Sequence, residues 1–251
     1  MEAIVLAGGL GTRLASRLQG LPKPMAPVAG RPFLDILLSQ LRGSGCTRVL
    51  LSVGHQHTVI EDHFGASFHG MPIDYVIESV ALGTGGAIRL ALAQAREESV
   101  LVLNGDTFLD ADYAAMLRFH ASEGAAATLA VVHRDDVSRY GSVVIEDQRI
   151  VGFHEKGSSN PRQTSAGPTN SGQISASPAN SGWISAGTYV LQRNLAWPPG
   201  LAEKFSIEFD FFVPEVARLR PAAWKVDGFF LDIGVPEDLD RAQTELVQFL
   251  P

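Results

Sequence analysis

The chain has 251 residues, of which 45% are hydrophobic and 19% charged, an ordinary globular composition with length enough for one large domain and a substantial core. A formal net charge of -7 excludes nucleic acid or an anionic membrane as the principal partner, so cations that meet an anionic ligand must be concentrated locally. The single cysteine, Cys46, leaves no internal disulfide framework, no apolar run reaches the roughly 18 residues of a membrane span, and the chain starts in a strand-like run instead of a basic, cleavable leader, so the cytoplasm is the expected compartment.

The first strand, Glu2–Ala7, stops at Gly8-Gly9-Leu10-Gly11. Glycines so placed let backbone N–H groups converge on one point, which suits phosphate. Arg13 then offers a planar guanidinium fork, and Lys23, braced by Pro22 and Pro24, a point charge. A phosphate-binding role explains this set, whereas a plain strand-to-helix turn leaves the paired prolines without a reason. Apolar residues at helical spacing follow in Phe33–Arg42, and strand-like and helix-like runs then alternate: Arg48–Val53, Thr58–Phe64, Ile73–Glu78, Thr84–Ala95, Val100–Asn104, Asp112–Ser122 and Ala126–Val132. This rhythm predicts an α/β fold, a doubly wound, mostly parallel, Rossmann-like sheet with helices on both faces. In such sheets ligands bind beyond the carboxyl ends of the strands, which puts Gly8–Gly11 and Asp106 on one rim.

The second half is expected to be smaller and richer in β structure. Ser142–Ile145 and Arg149–His154 read as a hairpin, Ile184–Leu191 as a strand, and Pro236–Val247 as a closing helix with Glu237 and Asp238 in its first turn. The whole, 1–251, reads as a single domain in two parts, 1–135 and 136–251. Residues 157–182 read as an insertion, in which a ten-residue unit, Thr164 to Gln173, is echoed by a second that runs from Ile174 on to Trp183. The low-complexity repeat reads as a tandem duplication tolerated near a ligand pocket, with a lid as the alternative. His55, His57, His63 and His69 lack the spacing of a closed zinc site and read as solvated surface residues.

Gly8 to Leu14 followed by Pro22-Lys23-Pro24 resembles the signature of the sugar-1-phosphate nucleotidylyltransferases. Leu82 to Ala87, Asn104-Gly105-Asp106, Glu155-Lys156, Trp183 to Gly187 and Phe230 to Gly234 fall in that family's order. The stretch Pro22 to Leu34 is most similar to the D-glycero-α-D-manno-heptose 1-phosphate guanylyltransferases. The resemblance implies that a sugar 1-phosphate attacks a nucleoside triphosphate, giving a nucleoside-diphosphate sugar and pyrophosphate, here GTP and GDP-heptose for a surface polysaccharide. It implies Mg²⁺ held by Asp106 and Asp232, hard oxygen ligands suited to that ion. Arg13 and Lys23 would be catalytic. Leu6, Ala7, Gly8, Gly9, Gly11, Thr12, Gly83, Thr84 and Gly85, with Asp106, would bind the nucleotide. Gly105, Tyr140, Gly141, Glu155, Lys156, Ser185 and Gly187 would bind the sugar phosphate. Glu78 reads as structural or sugar-facing. Gly157 stands where the family often has proline, Ser185 where it usually has asparagine, and Phe209 where the guanylyltransferases commonly have lysine.

Two other readings stand beside this one. Mannose-1-phosphate guanylyl transfer, or uridylyl or thymidylyl transfer, keeps the chemistry and changes sugar or base. A catalytically silent sugar-nucleotide sensor keeps only the binding, and has little use for Arg13, Lys23, Asp106 and Asp232 together. A homo-oligomer is compatible with the sequence.

Overall fold

A computed structural model describes residues 1–9, 11–18, 20–154 and 181–250, with Thr12 described through its backbone alone. Glu155, Lys156 and the repeat up to Asn180 lie outside the described residues. Fourteen strands result, among the described residues: β1 (Glu2–Leu6), β2 (Pro27–Val28), β3 (Arg31–Pro32), β4 (Arg48–Val53), β5 (Ser67–Phe68), β6 (Met71–Ile77), β7 (Ser99–Asn104), β8 (Thr107–Leu109), β9 (Ala127–Arg134), β10 (Ser142–Glu146), β11 (Arg149–His154), β12 (Gly182–Gln192), β13 (Ala222–Val226) and β14 (Phe230–Asp232). Seven α-helices accompany them: α1 (Ala15–Leu18), α2 (Phe33–Gly43), α3 (His57–Phe64), α4 (Gly83–Leu92), α5 (Tyr113–Glu123), α6 (Val213–Leu219) and α7 (Pro236–Glu245).

Ten of the strands form one sheet in the order β10-β11-β13-β9-β12-β7-β1-β4-β6-β5. β6, β4, β1 and β7 are mutually parallel, as the βα alternation of the first half requires. Beyond them the expectation of a mostly parallel sheet holds only for β13, which runs parallel to β9. β12 runs antiparallel to both β7 and β9, and the β10–β11 pair is antiparallel too, so the sheet is mixed. The physical reason is that β9 is followed by a hairpin, and a parallel neighbour needs a crossover of a dozen residues or more, usually a helix.

Strand alternation sorts the core into two layers. Ala3 and Val5 of β1 face Phe33, Leu37, Ile60, Met116 and Leu239, from α2, α3, α5 and α7. Ile4 faces the other way, toward Ile88 of α4, Val216 of α6 and Phe211 of the turn before α6. Each such fully buried large aliphatic or aromatic side chain contributes roughly 1.5–3 kcal/mol. Among the described residues no helix is long and apolar enough to cross a membrane.

The α5 helix begins where Asp112 caps it, its carboxylate accepting from Ala115 N–H at 2.8 Å, and stops at Gly124 with φ +55°. His120, in its last turn, is buried; Nδ1 lies 2.8 Å from Thr128 Oγ1 and Nε2 has no partner. Burial therefore pulls its pKa below the ordinary 6.5. A histidine kept neutral in the fold but not in the unfolded chain supports stability above pH 6.5, and that support is lost as pH falls below 6.5 toward the lowered value. The melting temperature of His120→Gln is expected to fall less than that of the wild type between pH 7.5 and 5.5, as calorimetry at several pH values will show.

A second, two-stranded sheet matters most for the site. β8 follows β7 after the turn at Gly105-Asp106, and β14 pairs antiparallel with it, Asp232 opposite Thr107. Ile233 N–H donates to Asp106 O at 3.0 Å. That ladder sets Asp232 beside Asp106.

Candidate active site

The site lies at the carboxyl ends of β1, β4 and β7. At the end of β1, Gly11 has φ +58°, and a Cβ there would come within 2.9 Å of Lys23 Cβ, so glycine lets the Lys23 turn pack against the loop. Lys23 opens a short helical turn, Lys23–Met25, whose Pro24 and Met25 are buried, and this pins its backbone. The Lys23 side chain is 12% exposed. Its Nζ lies 2.5 Å from Asp106 Oδ2 and 3.9 Å from Asp232 Oδ1. Burial, reinforced by the charge of Asp106, pushes the Asp232 carboxyl up to about 6, against the opposing pull of Lys23. Asp232 Oδ1 is itself buried without a hydrogen-bond partner.

One ammonium between two carboxylates leaves this cluster short of positive charge. Two hard carboxylates, one with an orphaned oxygen, fit Mg²⁺, which takes one or two such ligands and completes its shell from water and phosphate. Among the described residues no group of three or more acidic, histidine or cysteine side chains is placed to hold a metal ion.

A cavity of about 450 Å³ opens beside the cluster, lined by Leu6, Gly8, Gly9, Gly11, Lys23, Pro24, Glu78, Ala81, Gly83, Thr84, Ala87, Asn104, Gly105, Asp106 and Lys204. Most of the residues expected to hold a nucleotide thus share one wall. Ala7 lies buried beneath it, its N–H donating to Ser52 O at 2.7 Å. Arg13 is exposed on the Thr12–Leu14 turn and does not line this cavity. Gly85 also departs from expectation. Its N–H donates to Phe205 O at 2.9 Å, and a Cβ there would overlap the Phe205 ring, so this glycine serves packing.

A second cavity of about 280 Å³ is lined by Gly141, Val143, Phe153, His154, Ser185, Glu208, Phe209, Asp210 and Val213. A third, of about 400 Å³, holds Arg134, Tyr140, Asp232, Asp238 and Arg241 among its walls. Gly141 and Ser185 therefore sit together, while Tyr140 opens onto the neighbouring space beside Asp232. Two residues expected on the sugar side lie elsewhere. Gly105 lines the first cavity, where its N–H donates to Leu6 O at 2.9 Å. Gly187, with φ +63°, packs against the Asn104 side chain. Gly105 is demanded by close backbone approach to Leu6 where β1 and β7 end, and Gly187, in the middle of β12, by the Asn104 side chain and its positive φ.

Glu78 and Lys204 were not anticipated in the first cavity. Glu78 accepts from Leu82 N–H at 3.0 Å and from Ser52 hydroxyl at 3.2 Å. Its place at the end of β6, the strand next to β4, was the available signal, since parallel-sheet ligands sit at strand ends. Lys204 belongs to an irregular segment that carries no such signal.

A glycine-lined cavity at the strand ends, with a lysine between two carboxylates, defines an enzyme that handles phosphate groups on an α/β sheet. The family model for nucleotidyl transferases matches residues 2–247, and the chain belongs to that family. It is 38% identical over 250 residues to the D-glycero-α-D-manno-heptose 1-phosphate guanylyltransferase of Aneurinibacillus thermoaerophilus, the match covering 100% of both chains. It is 36% identical to the mannose-1-phosphate guanylyltransferase of Mycobacterium tuberculosis, across 99% of this chain and 65% of that one. The crystal structure of HddC from Yersinia pseudotuberculosis complexed with GMP-PN superposes with a TM-score of 0.75 at 33% identity, covering 96% of this chain and 97% of that one.

Proposed function

We propose that the protein is a D-glycero-α-D-manno-heptose 1-phosphate guanylyltransferase, joining that sugar phosphate to GTP and releasing pyrophosphate. The observation that carries the reading is Lys23 Nζ at 2.5 Å from Asp106 and 3.9 Å from Asp232, at one end of the glycine-lined cavity. Residues 1–135, with their parallel, Rossmann-like block, act as the nucleotide half, and 136–251 as the sugar half. The cytoplasm, where nucleoside triphosphates are made, is the proposed location.

The reaction forms a bond from a sugar-phosphate oxygen to the α-phosphorus of GTP and breaks the bond from that phosphorus to the bridging oxygen of pyrophosphate. One polyanion must approach another, so positioning and charge neutralisation suffice and no covalent nucleophile is needed. Lys23 neutralises charge that grows on the α-phosphate oxygens. Arg13, at the exposed turn beyond the cavity, meets the departing pyrophosphate. Asp106 and Asp232 would hold Mg²⁺, which when bound supplies the divalent charge that two phosphates need in order to approach. The second cavity, with Gly141, Ser185 and Glu208, receives the sugar hydroxyls, and Lys156, after Glu155, is assigned to its phosphate.

Glu78 supports the choice of GTP. A carboxylate accepts hydrogen bonds only, and guanine alone offers adjacent N1–H and 2-amino donors; uracil and thymine set carbonyls beside their one N–H. Mannose 1-phosphate remains a second sugar, on the 36% identity to the mycobacterial guanylyltransferase. The test crosses four nucleoside triphosphates with heptose, mannose and glucose 1-phosphates and follows pyrophosphate. GTP with the heptose phosphate is expected to turn over fastest, and Glu78→Gln to narrow the gap between GTP and UTP. A chelator should abolish turnover yet leave the melting temperature of the substrate-free protein unchanged. Silence across the panel would favour the sensor.

A further inference from the structure

Residues 203–207 lie across the start of α4 and are pinned from both sides. Phe205 N–H donates to Leu82 O at 3.0 Å, Phe205 O accepts from Gly85 N–H at 2.9 Å, and Ile207 N–H donates to Thr84 Oγ1 at 3.0 Å. Arg89 donates to Ala202 O at 3.2 Å and stacks over the Phe205 ring at 5.1 Å. At Gly86 a Cβ would overlap Glu203 O, so the two backbones are in direct contact. The segment then enters a π-helical turn, Ile207–Phe212, whose N-terminus Ser206 caps by accepting from Phe209 N–H at 3.3 Å. Glu208, Phe209 and Asp210 of that turn line the second cavity, whereas Lys204 lines the first.

Lys204 has no ion-pair partner among the described residues. The other cation in the cavity wall, Lys23, already faces two carboxylates. A triphosphate and a sugar phosphate bring far more negative charge than one committed lysine can meet. We propose that Lys204 is a phosphate-binding residue of the substrate cavity, carried there by a segment of the second half that is fastened to the nucleotide-binding half. This inference rests on the reading of that cavity as the place where phosphorylated substrates bind. Because Phe205 and Glu203 are held through their backbones, only the lysine side chain has to be ordered on binding, which lowers the cost of recruiting it. A lysine is a compact point charge suited to phosphate from several directions.

Calorimetric titration of the wild type, Lys204→Met and Lys204→Arg with inorganic pyrophosphate, GTP and mannose 1-phosphate tests the assignment, with melting temperature as the fold control. Methionine keeps the apolar stem and removes the charge. Lys204→Met is expected to bind pyrophosphate and GTP about tenfold more weakly or worse, as loss of a hydrogen bond to a charged group implies. Arginine should recover most of the loss, and the melting temperature should stay put. A loss seen with mannose 1-phosphate alone would assign Lys204 to the sugar's phosphate instead of the triphosphate, and the proposal would hold. Equal binding of all three probes by wild type and Lys204→Met overturns it. So does an equal loss in the methionine and arginine variants accompanied by a lower melting temperature, which would mean packing. If the wild type binds pyrophosphate but turns over no GTP, the guanylyltransferase reading falls while the pyrophosphate titration still decides on Lys204. Wild-type protein that binds none of the three overturns both.

Discussion

Lys23→Ala should lower turnover with GTP and sugar phosphate roughly a hundred- to a thousandfold, the loss typical of one preorganised group acting on transition-state charge. The fall should appear in kcat more than in KM, because the charge on the α-phosphate oxygens rises only as the reaction proceeds. The lysine's position supports so large an effect: it is 12% exposed, its turn is held by Pro24 and Met25, and its Nζ lies 2.5 Å from Asp106 Oδ2. Lys23→Arg should keep part of the activity, since a planar fork replaces a point charge. A second consequence concerns stability without metal. Removing Lys23 leaves Asp106 and Asp232 facing each other, so the Asp232 carboxyl, already raised to about 6, should rise further. A carboxyl raised in the fold disfavours the folded state at high pH and ceases to do so as pH falls through its folded value. In chelator, Lys23→Ala should therefore melt lower than the wild type at pH 8, with the gap closing toward pH 5. Near-normal turnover in a well-folded Lys23→Ala would end the catalytic assignment.

The parts of this site that could be read from the chain are those that obey local rules. A buried apolar strand followed by glycines announces a loop at a sheet rim, and Val100–Asn104 running into Gly105-Asp106 does the same. Prolines on both sides of Lys23 mark a fixed cation. The helices of the first half were legible from apolar spacing, and α2 ends within one residue of expectation, at Gly43. The rest depends on contacts between distant segments. Nothing local says that β14 pairs with β8, so the approach of Asp232 to Asp106 came only through resemblance. The Leu82–Ala87 glycines suggested a ligand loop, yet Gly85 and Gly86 exist to admit Phe205 and Glu203, which the sequence gives no means of pairing with them. The parallel expectation failed at β10, β11 and β12, while β13 is parallel to β9, because strand runs carry no signal of direction; only the helices between them do. Glu78 was legible as a strand-end carboxylate but not as part of the cavity, since its neighbours Gly8, in the loop after β1, and Ser52, in β4, are distant in sequence.

Gly228→Ala should damage folding and catalysis together, although residue 228 carries no chemistry. A Cβ at this position would overlap the carbonyl oxygen of Asp110, and that oxygen is backbone, so it cannot swing aside as a side chain would. The contact sits where β14 meets the end of β8, with Asp110 N–H donating to Phe229 O at 2.7 Å. Relief of the clash requires β14 to move away from β8, which lengthens or breaks that bond and shifts everything that follows on β14. Overpacking of this kind typically costs about 1–3 kcal/mol and sometimes more, and for a chain of this size each kcal/mol lowers the melting temperature by roughly 2–4 °C. The functional effect follows from the ladder, because Asp232 is the third residue of β14 and stands opposite Thr107, next to Asp106. Displacing the strand separates the two carboxylates and draws Asp232 away from Lys23. Catalysis depends on positions held within fractions of an ångström, and a shift of about 1 Å can cost on the order of a hundredfold. The variant should therefore show a lower melting temperature, and turnover measured well below that temperature should still be strongly reduced, with a higher Mg²⁺ concentration needed for half-maximal rate. Asp227→Ala, one residue earlier and free of such a clash, is the matched control. Should Gly228→Ala melt and turn over like the wild type, the β8–β14 ladder would not be what holds Asp232 against Asp106.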